Sequence, residues 1–161
     1  MEMTKLMQYE IKIIVNEAEK PRIARAVLEA LPEWFGIPEA RESYIKNSAD
    51  KPFIAAFDGE KPVGFLYLAE TGKATAELHC MGVLKEYHRN GVGRAIVEKA
   101  KRLAKCTGYS FLQVKTVKRG VYEEYDKTND FYIACGFKEF EIIPELWGEN
   151  NPCQIYILAL D

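Results

Sequence analysis

The chain has no apolar run long enough to span a bilayer, no close pair of cysteines and almost no net charge, and each of these absences removes a class of function. Without a run of about 20 apolar residues there is no spanning helix. The first twenty residues, interrupted by Glu2, Lys5, Glu10 and Lys12, contain no signal-peptide core, so the expected compartment is the cytoplasm and no membrane partner is expected. Four cysteines, Cys80, Cys106, Cys135 and Cys153, stand far apart with no C-x-x-C spacing, which argues against a zinc site and, in a reducing compartment, against disulfides. They read as small buried hydrophobes, and no metal is expected. A formal net charge of −2 on 161 residues offers no general attraction to nucleic acid. Repeats and low-complexity tracts are absent as well, leaving one ordinary domain, 1–161, large enough to bury a core.

Against that neutral background one stretch stands out, Met81 to Lys105. It runs from an apolar strand end through a basic loop, Arg89-Asn90-Gly91-Val92-Gly93-Arg94, into a helix with Val92, Ile96, Ala100 and Leu103 at helical spacing. Gly91 and Gly93 permit backbone angles that a Cβ forbids, so the loop can turn several N–H groups into one concavity. The first N–H groups of the helix add partial positive charge, and a phosphate is the natural occupant. Gly108 ends the helix. An anionic small molecule suits this local basic site better than DNA does.

Elsewhere the periodicity predicts a strand over Glu10 to Val15 and helices over Pro21 to Leu31 and Pro38 to Lys46. Trp34 and Phe35 in the connector either line a cleft or pin it to the sheet, with burial favoured. Phe53 to Phe57, a turn at Asp58-Gly59, and Val63 to Leu68 read as a hairpin. A second turn at Thr71-Gly72-Lys73 leads into a strand from Thr75 to Leu84. After the central helix come a strand over Phe111 to Val117, a polar loop Lys118 to Tyr125, and a short helix with Asp126 as its cap and Gly136 as its stop. Strands over Phe137 to Ile142 and Gln154 to Leu160 close the sheet. The fold class is therefore a mixed, mostly antiparallel α/β sheet flanked by helices, without the repeated βαβ alternation of a doubly wound fold.

With these elements in place, His88-Arg89-Asn90-Gly91-Val92-Gly93 resembles the acetyl-coenzyme A loop of the GCN5-related N-acetyltransferase (GNAT) superfamily, whose pattern is Arg or Gln, two residues, Gly, one residue, Gly or Ala. Tyr132-Ile133-Ala134-Cys135-Gly136-Phe137 matches a second family feature, a Tyr followed after three residues by Gly-Phe. The resemblance is strong from about Pro62 to Phe140 and leaves the subfamily open. It implies that Arg89, Asn90, Gly91, Val92, Gly93 and Arg94 bind the pyrophosphate of acetyl-CoA, with His88 standing where Arg or Gln is usual. It implies a splayed central strand pair in which the backbone groups of Met81 and Val83 meet the pantetheine and polarise the thioester carbonyl. Tyr132 would protonate the departing thiolate, its other reading being a core tyrosine. Asn129, one turn away, would bond the pantetheine, although Tyr125 replaces an Asn that many relatives carry.

At the acceptor end, Glu77 and His79 alternate along a strand and so share a face. Both align with family positions that hold proton acceptors. Glu77 is the first candidate base and His79 the second; an exposed carboxylate and a hydrogen-bonded strand histidine are the alternatives. The implied function is transfer of an acetyl group to an amine by direct attack in a ternary complex. The amine can be a small molecule or a peptide, and a homodimer is compatible with the sequence. The competing reading is a non-catalytic acyl-CoA-binding sensor or partner module, against which the presence of Glu77, His79 and Tyr132 speaks. A Rossmann-type site is disfavoured by Ile96, which stands where a third Gly belongs.

Overall fold

A computed structural model describes residues 9–161, so Glu2 and Lys5 lie outside the described residues. The chain forms β1 (Tyr9–Ile14), α1 (Glu19–Leu28), α2 (Pro38–Asn47), β2 (Phe53–Asp58), β3 (Lys61–Gly72), β4 (Thr75–Val83), α3 (Val92–Thr107), β5 (Phe111–Val117), α4 (Glu123–Ala134), β6 (Lys138–Ile143) and β7 (Cys153–Ala159). The order of elements is the one expected. The strands make one seven-stranded sheet, β1-β2-β3-β4-β5-β7-β6. The β4–β5 ladder is parallel, whereas β1–β2, β2–β3, β5–β7 and β6–β7 are antiparallel. Contacts group the chain into two compact units, one reaching to Ala69 and resuming over Cys80–Ala100, the other made of Glu70–His79 and Lys101–Asp161.

In the first unit, α1 buries Ile23, Ala24, Val27 and Leu28 along one stripe. The Asn16 side chain accepts the N–H groups of Ala18 and Glu19, both at 3.0 Å, and so organises its start. Pro21 is the third helical residue, early enough that its missing N–H costs no helical bond. The helix stops at Leu28, short of the expected Leu31, because Ala30 and Leu31 donate three residues back, to Val27 and Leu28. In the β2–β3 hairpin Asp58 pairs with Lys61, so the central turn residues are Gly59 and Glu60, one position later than expected. Gly59, at φ 63, supplies the positive angle there.

The core of this unit is aromatic. Phe53, Phe65 and Tyr67 are fully buried and stacked, with Phe65 5.3 Å from Phe53 and 6.3 Å from Tyr67. β4 passes close beneath α1 because Gly82 has no side chain; a Cβ there would sit 3.0 Å from both Leu31 Cδ1 and Val27 Cγ1. Val92, Ile96, Val97 and Ala100 of α3 are buried, as their spacing requires.

In the second unit, β5 lies between β4 and β7, with Phe111↔Ala159 and Val117↔Cys153 at the ends of the β5–β7 ladder. Both of its helix ends are closed by a glycine. Gly108 (φ 110) donates to Lys105 and Tyr109 to Ala104; Gly136 (φ 102) donates to Ile133 and Phe137 to Tyr132. This pair of bonds satisfies carbonyls that a helix end leaves open. α4 begins at Glu123, a turn earlier than expected, because Asp126 is not its cap: its Oδ1 accepts the Gly120 N–H at 2.8 Å and fastens the preceding loop instead. Three cysteines are buried as expected, but Cys106 lies on the exposed side of α3.

Gly82→Val tests the β4–α1 approach. Overpacking here should cost about 1–3 kcal/mol, read as a lower urea midpoint; an unchanged midpoint would contradict the close approach.

Candidate active site

The loop after β4 is built by two left-handed residues. A short 3-10 turn over Lys85–Tyr87 ends the strand, and then Arg89 adopts φ 65 and Gly91 φ 81. A non-glycine residue at positive φ is strained, so Arg89 is held there by its surroundings. Gly91 accepts the first helical bond, from Ala95 at 3.0 Å, which makes it the cap residue of α3. The N–H groups of Val92, Gly93 and Arg94 are consequently those with no partner inside the helix. Gly93 departs from expectation: it needs no positive φ, being half-buried in the first turn of α3. Its smallness leaves that turn approachable. Arg89 and Arg94 are exposed and Asn90 is half-buried.

His88 behaves differently from an Arg or Gln. Its Nε2 lies 2.7 Å from the Val83 carbonyl, which can only accept, so the imidazole carries its proton on Nε2 and donates it to β4. Its ring meets Trp34 edge-on with centroids 6.0 Å apart. The side chain that was expected to help bind pyrophosphate thus fixes the end of β4 to its own loop and to the α1–α2 connector. Trp34 and Phe35 are half-buried, between the two readings offered for them. Nearby carboxylates are already committed. Glu33 pairs with Lys85, which holds it below the usual carboxylate range, and Glu42 takes Arg25 in a two-pronged pair at 2.7 Å.

At the start of β4, Glu77 is buried while His79 on the same face is half-exposed. His79 Nδ1 is 3.8 Å from Glu77 Oε1, an ion-pair distance rather than a hydrogen bond. Lys115 Nζ of β5 donates to the same oxygen at 3.1 Å. Burial alone would push the carboxyl up, but His79 and Lys115 outweigh it and hold Glu77 below the usual range. Glu77 pairs in register with Gln113, and that is the last pair of the β4–β5 ladder. Met81 and Val83, at the far end of the strand, are half-buried.

On α4, Tyr132 and Asn129 are the buried residues. The Tyr132 ring packs 5.9 Å from Phe137, 5.5 Å from Phe131 and 6.2 Å from Tyr156. The bonding at Gly136 explains this spacing: Tyr132 and Phe137 occupy the two positions whose side chains meet across such a helix end. The cap thus accounts for an apolar contact between 132 and 137. Asn129 Nδ2 donates to the carbonyls of Val117 at 3.0 Å and Tyr125 at 2.6 Å, and its Oδ1 accepts the Tyr156 hydroxyl at 2.6 Å. Both amide hydrogens are committed, so the expected bond to pantetheine would fall on the second lone pair of Oδ1. Sequence reasoning missed Lys115, which no motif marks.

Asn129→Ala should remove the bond that the Tyr156 hydroxyl donates and the side-chain donors to the Val117 and Tyr125 carbonyls, and cost about 1–3 kcal/mol in chemical denaturation. Stability equal to the parent would show that the network is dispensable. Because folded Glu77 binds its proton less readily than the unfolded carboxyl, its stabilisation is present above its ordinary value of 4.5 and fades as the pH falls below it. Glu77→Gln should flatten that acid slope in a stability–pH series, and an unchanged slope would contradict the pairing.

A model of the acetyltransferase (GNAT) family matches residues 20–137. An uncharacterized N-acetyltransferase of Chlorobaculum tepidum is 26% identical over 139 residues, covering 84% of this chain and 82% of its own. Among solved structures, a candidate GNAT acetyltransferase of Desulfovibrio desulfuricans superposes with a TM-score of 0.82 at 18% identity, over 95% of this chain and 99% of that one. An aminoglycoside 6′-N-acetyltransferase solved with coenzyme A gives a TM-score of 0.75 at 18% identity, over 94% and 97%. With a family model spanning well over half of it, the chain belongs to the GNAT acetyltransferase family and is an acyltransferase.

Proposed function

We propose that the chain is an acetyl-CoA-dependent N-acetyltransferase acting on an amine by direct attack in a ternary complex. The observation that carries this reading is the make-up of β4: one strand bears the Glu77–His79 pair near its start and runs, through Met81 and Val83, into the left-handed basic loop. The loop suits the cosubstrate, since its φ values of 65 and 81 and the first-turn N–H groups of α3 make an anion cradle beside two arginines. Arg89, Asn90, Gly91, Val92, Gly93 and Arg94 would hold the pyrophosphate. His88 would act by keeping the strand end in place, and the Met81 and Val83 backbone would follow the pantetheine. When bound, acetyl-CoA supplies an activated acetyl thioester.

The remaining work is proton management. An alkyl amine of pKa about 10.4 is neutral in about one molecule in 2,500 at pH 7, a deficit near 4.6 kcal/mol. The Glu77–His79 pair would take that proton. The Tyr132 hydroxyl is the candidate donor to the departing thiolate. Asn129 would serve by locking α4 to β5, and Glu123, Glu124 and Asp126 in the first turn of α4 give that helix an acidic start.

Two measurements test this reading together. Calorimetric titration should find acetyl-CoA binding that Gly91→Val weakens at least about ten-fold, because a β-branched residue is strained at φ 81. Thiol release against a pooled amine library should be amine-dependent and fall about 100-fold in His79→Ala. Tyr132→Phe should keep its fold and its affinity while slowing turnover. Unchanged affinity in Gly91→Val, or no amine-dependent release from the parent protein, would overturn the assignment.

A further inference from the structure

We propose that Lys115 is a positioning residue for acyl transfer: it clamps the Glu77 carboxylate on the face of β4 that Glu77 shares with His79, leaving His79 as the group that takes the amine proton. This rests on the acetyltransferase reading and divides the labour of the pair. The geometry is specific. Lys115 Nζ and His79 Nδ1 approach the same oxygen, Glu77 Oε1, at 3.1 and 3.8 Å. Glu77 faces Gln113 in the last rung of the β4–β5 ladder, and Gln113 turns its amide to Thr71 Oγ1 at 2.8 Å. Lys115, two residues on and on the same face of β5, is thus the side chain from that strand that answers the carboxylate. It ties the two strands together where their backbone bonding ends.

Exposure orders the three groups. The side chains of Glu77, Lys115 and His79 are 9%, 26% and 36% exposed, so the carboxylate is innermost and the imidazole outermost. A carboxylate that deep would take up a proton unless a cation faced it; with the Lys115 ammonium beside it, it stays ionised and serves as a fixed anion. The imidazole turns Nδ1 toward that anion at 3.8 Å, and a neutral ring keeps one nitrogen able to accept a proton. The amine N–H bond breaks, the imidazole gains the proton, and Glu77 remains charged throughout. A further titratable neighbour is Cys153 of β7. Its thiol is pushed up by burial, with Lys115 drawing it down and Glu77 pushing it further up, so it is neutral in the working range.

The test is a carbon-13 NMR titration of the Glu77 carboxyl, run with the pH profile of kcat/KM for the parent, Lys115→Met and Lys115→Arg. Lys115→Met should raise the Glu77 midpoint by about 1 pH unit or more. It should also move the acid limb of the rate profile to higher pH while acetyl-CoA affinity is kept. Lys115→Arg should restore both. A Glu77 midpoint or an acid limb that does not move in Lys115→Met overturns the proposal, as does failure of Lys115→Arg to restore them when it folds with the parent Tm. Absence of amine-dependent thiol release from the parent would overturn the acetyltransferase reading instead, and the NMR midpoint would still decide the clamp.

Discussion

Three rungs, from Thr75↔Phe111 to Glu77↔Gln113, join β4 to β5, although β4 continues to Val83 and β5 to Val117. The last of these rungs is Glu77↔Gln113. At the same point the side chains take over from the main chain, with Lys115 reaching Glu77. Around it, Gly82 lets α1 close down on β4, and His88 holds the Val83 carbonyl at the strand's other end. β4 is thereby positioned along its length by a short ladder, an ion pair, a glycine and a histidine.

The two glycine-capped helix ends show how local chemistry carries a family motif. The Tyr-x-x-x-Gly-Phe spacing of residues 132–137 is what a left-handed glycine cap produces, with the ring at the third-from-last helical position meeting the ring just beyond the glycine. The packing and the cap together explain the two rings. Asn129 gives the opposite lesson. Its donors are consumed by Val117 and Tyr125, and its value lies in holding a weakly amphipathic helix to β5.

Among the described residues, the order of the helices and strands could be read from periodicity and turn residues, because apolar stripes and glycines act over a few positions. Errors fell where the choice of partner decides a local outcome. Asp126 looked like a cap and was claimed by Gly120; the hairpin turn moved one residue when Asp58 found Lys61; α1 ended early in a tighter turn. At the site, the left-handed Gly91 was legible, whereas the positive φ of Arg89 and the helical role of Gly93 were not. The Glu77–Lys115 pair lay out of reach for the same reason: 38 positions separate the partners, and only the register of β4 on β5 brings them together.

The most direct test of the account is to follow backbone amide resonances during titration with acetyl-CoA. The account expects the largest changes at Val92, Gly93 and Arg94, with Met81 and Val83 moving in the same concentration range. Saturable binding that leaves those five amides unmoved would contradict it, since β4 and the loop it feeds would then have no part in holding the cosubstrate.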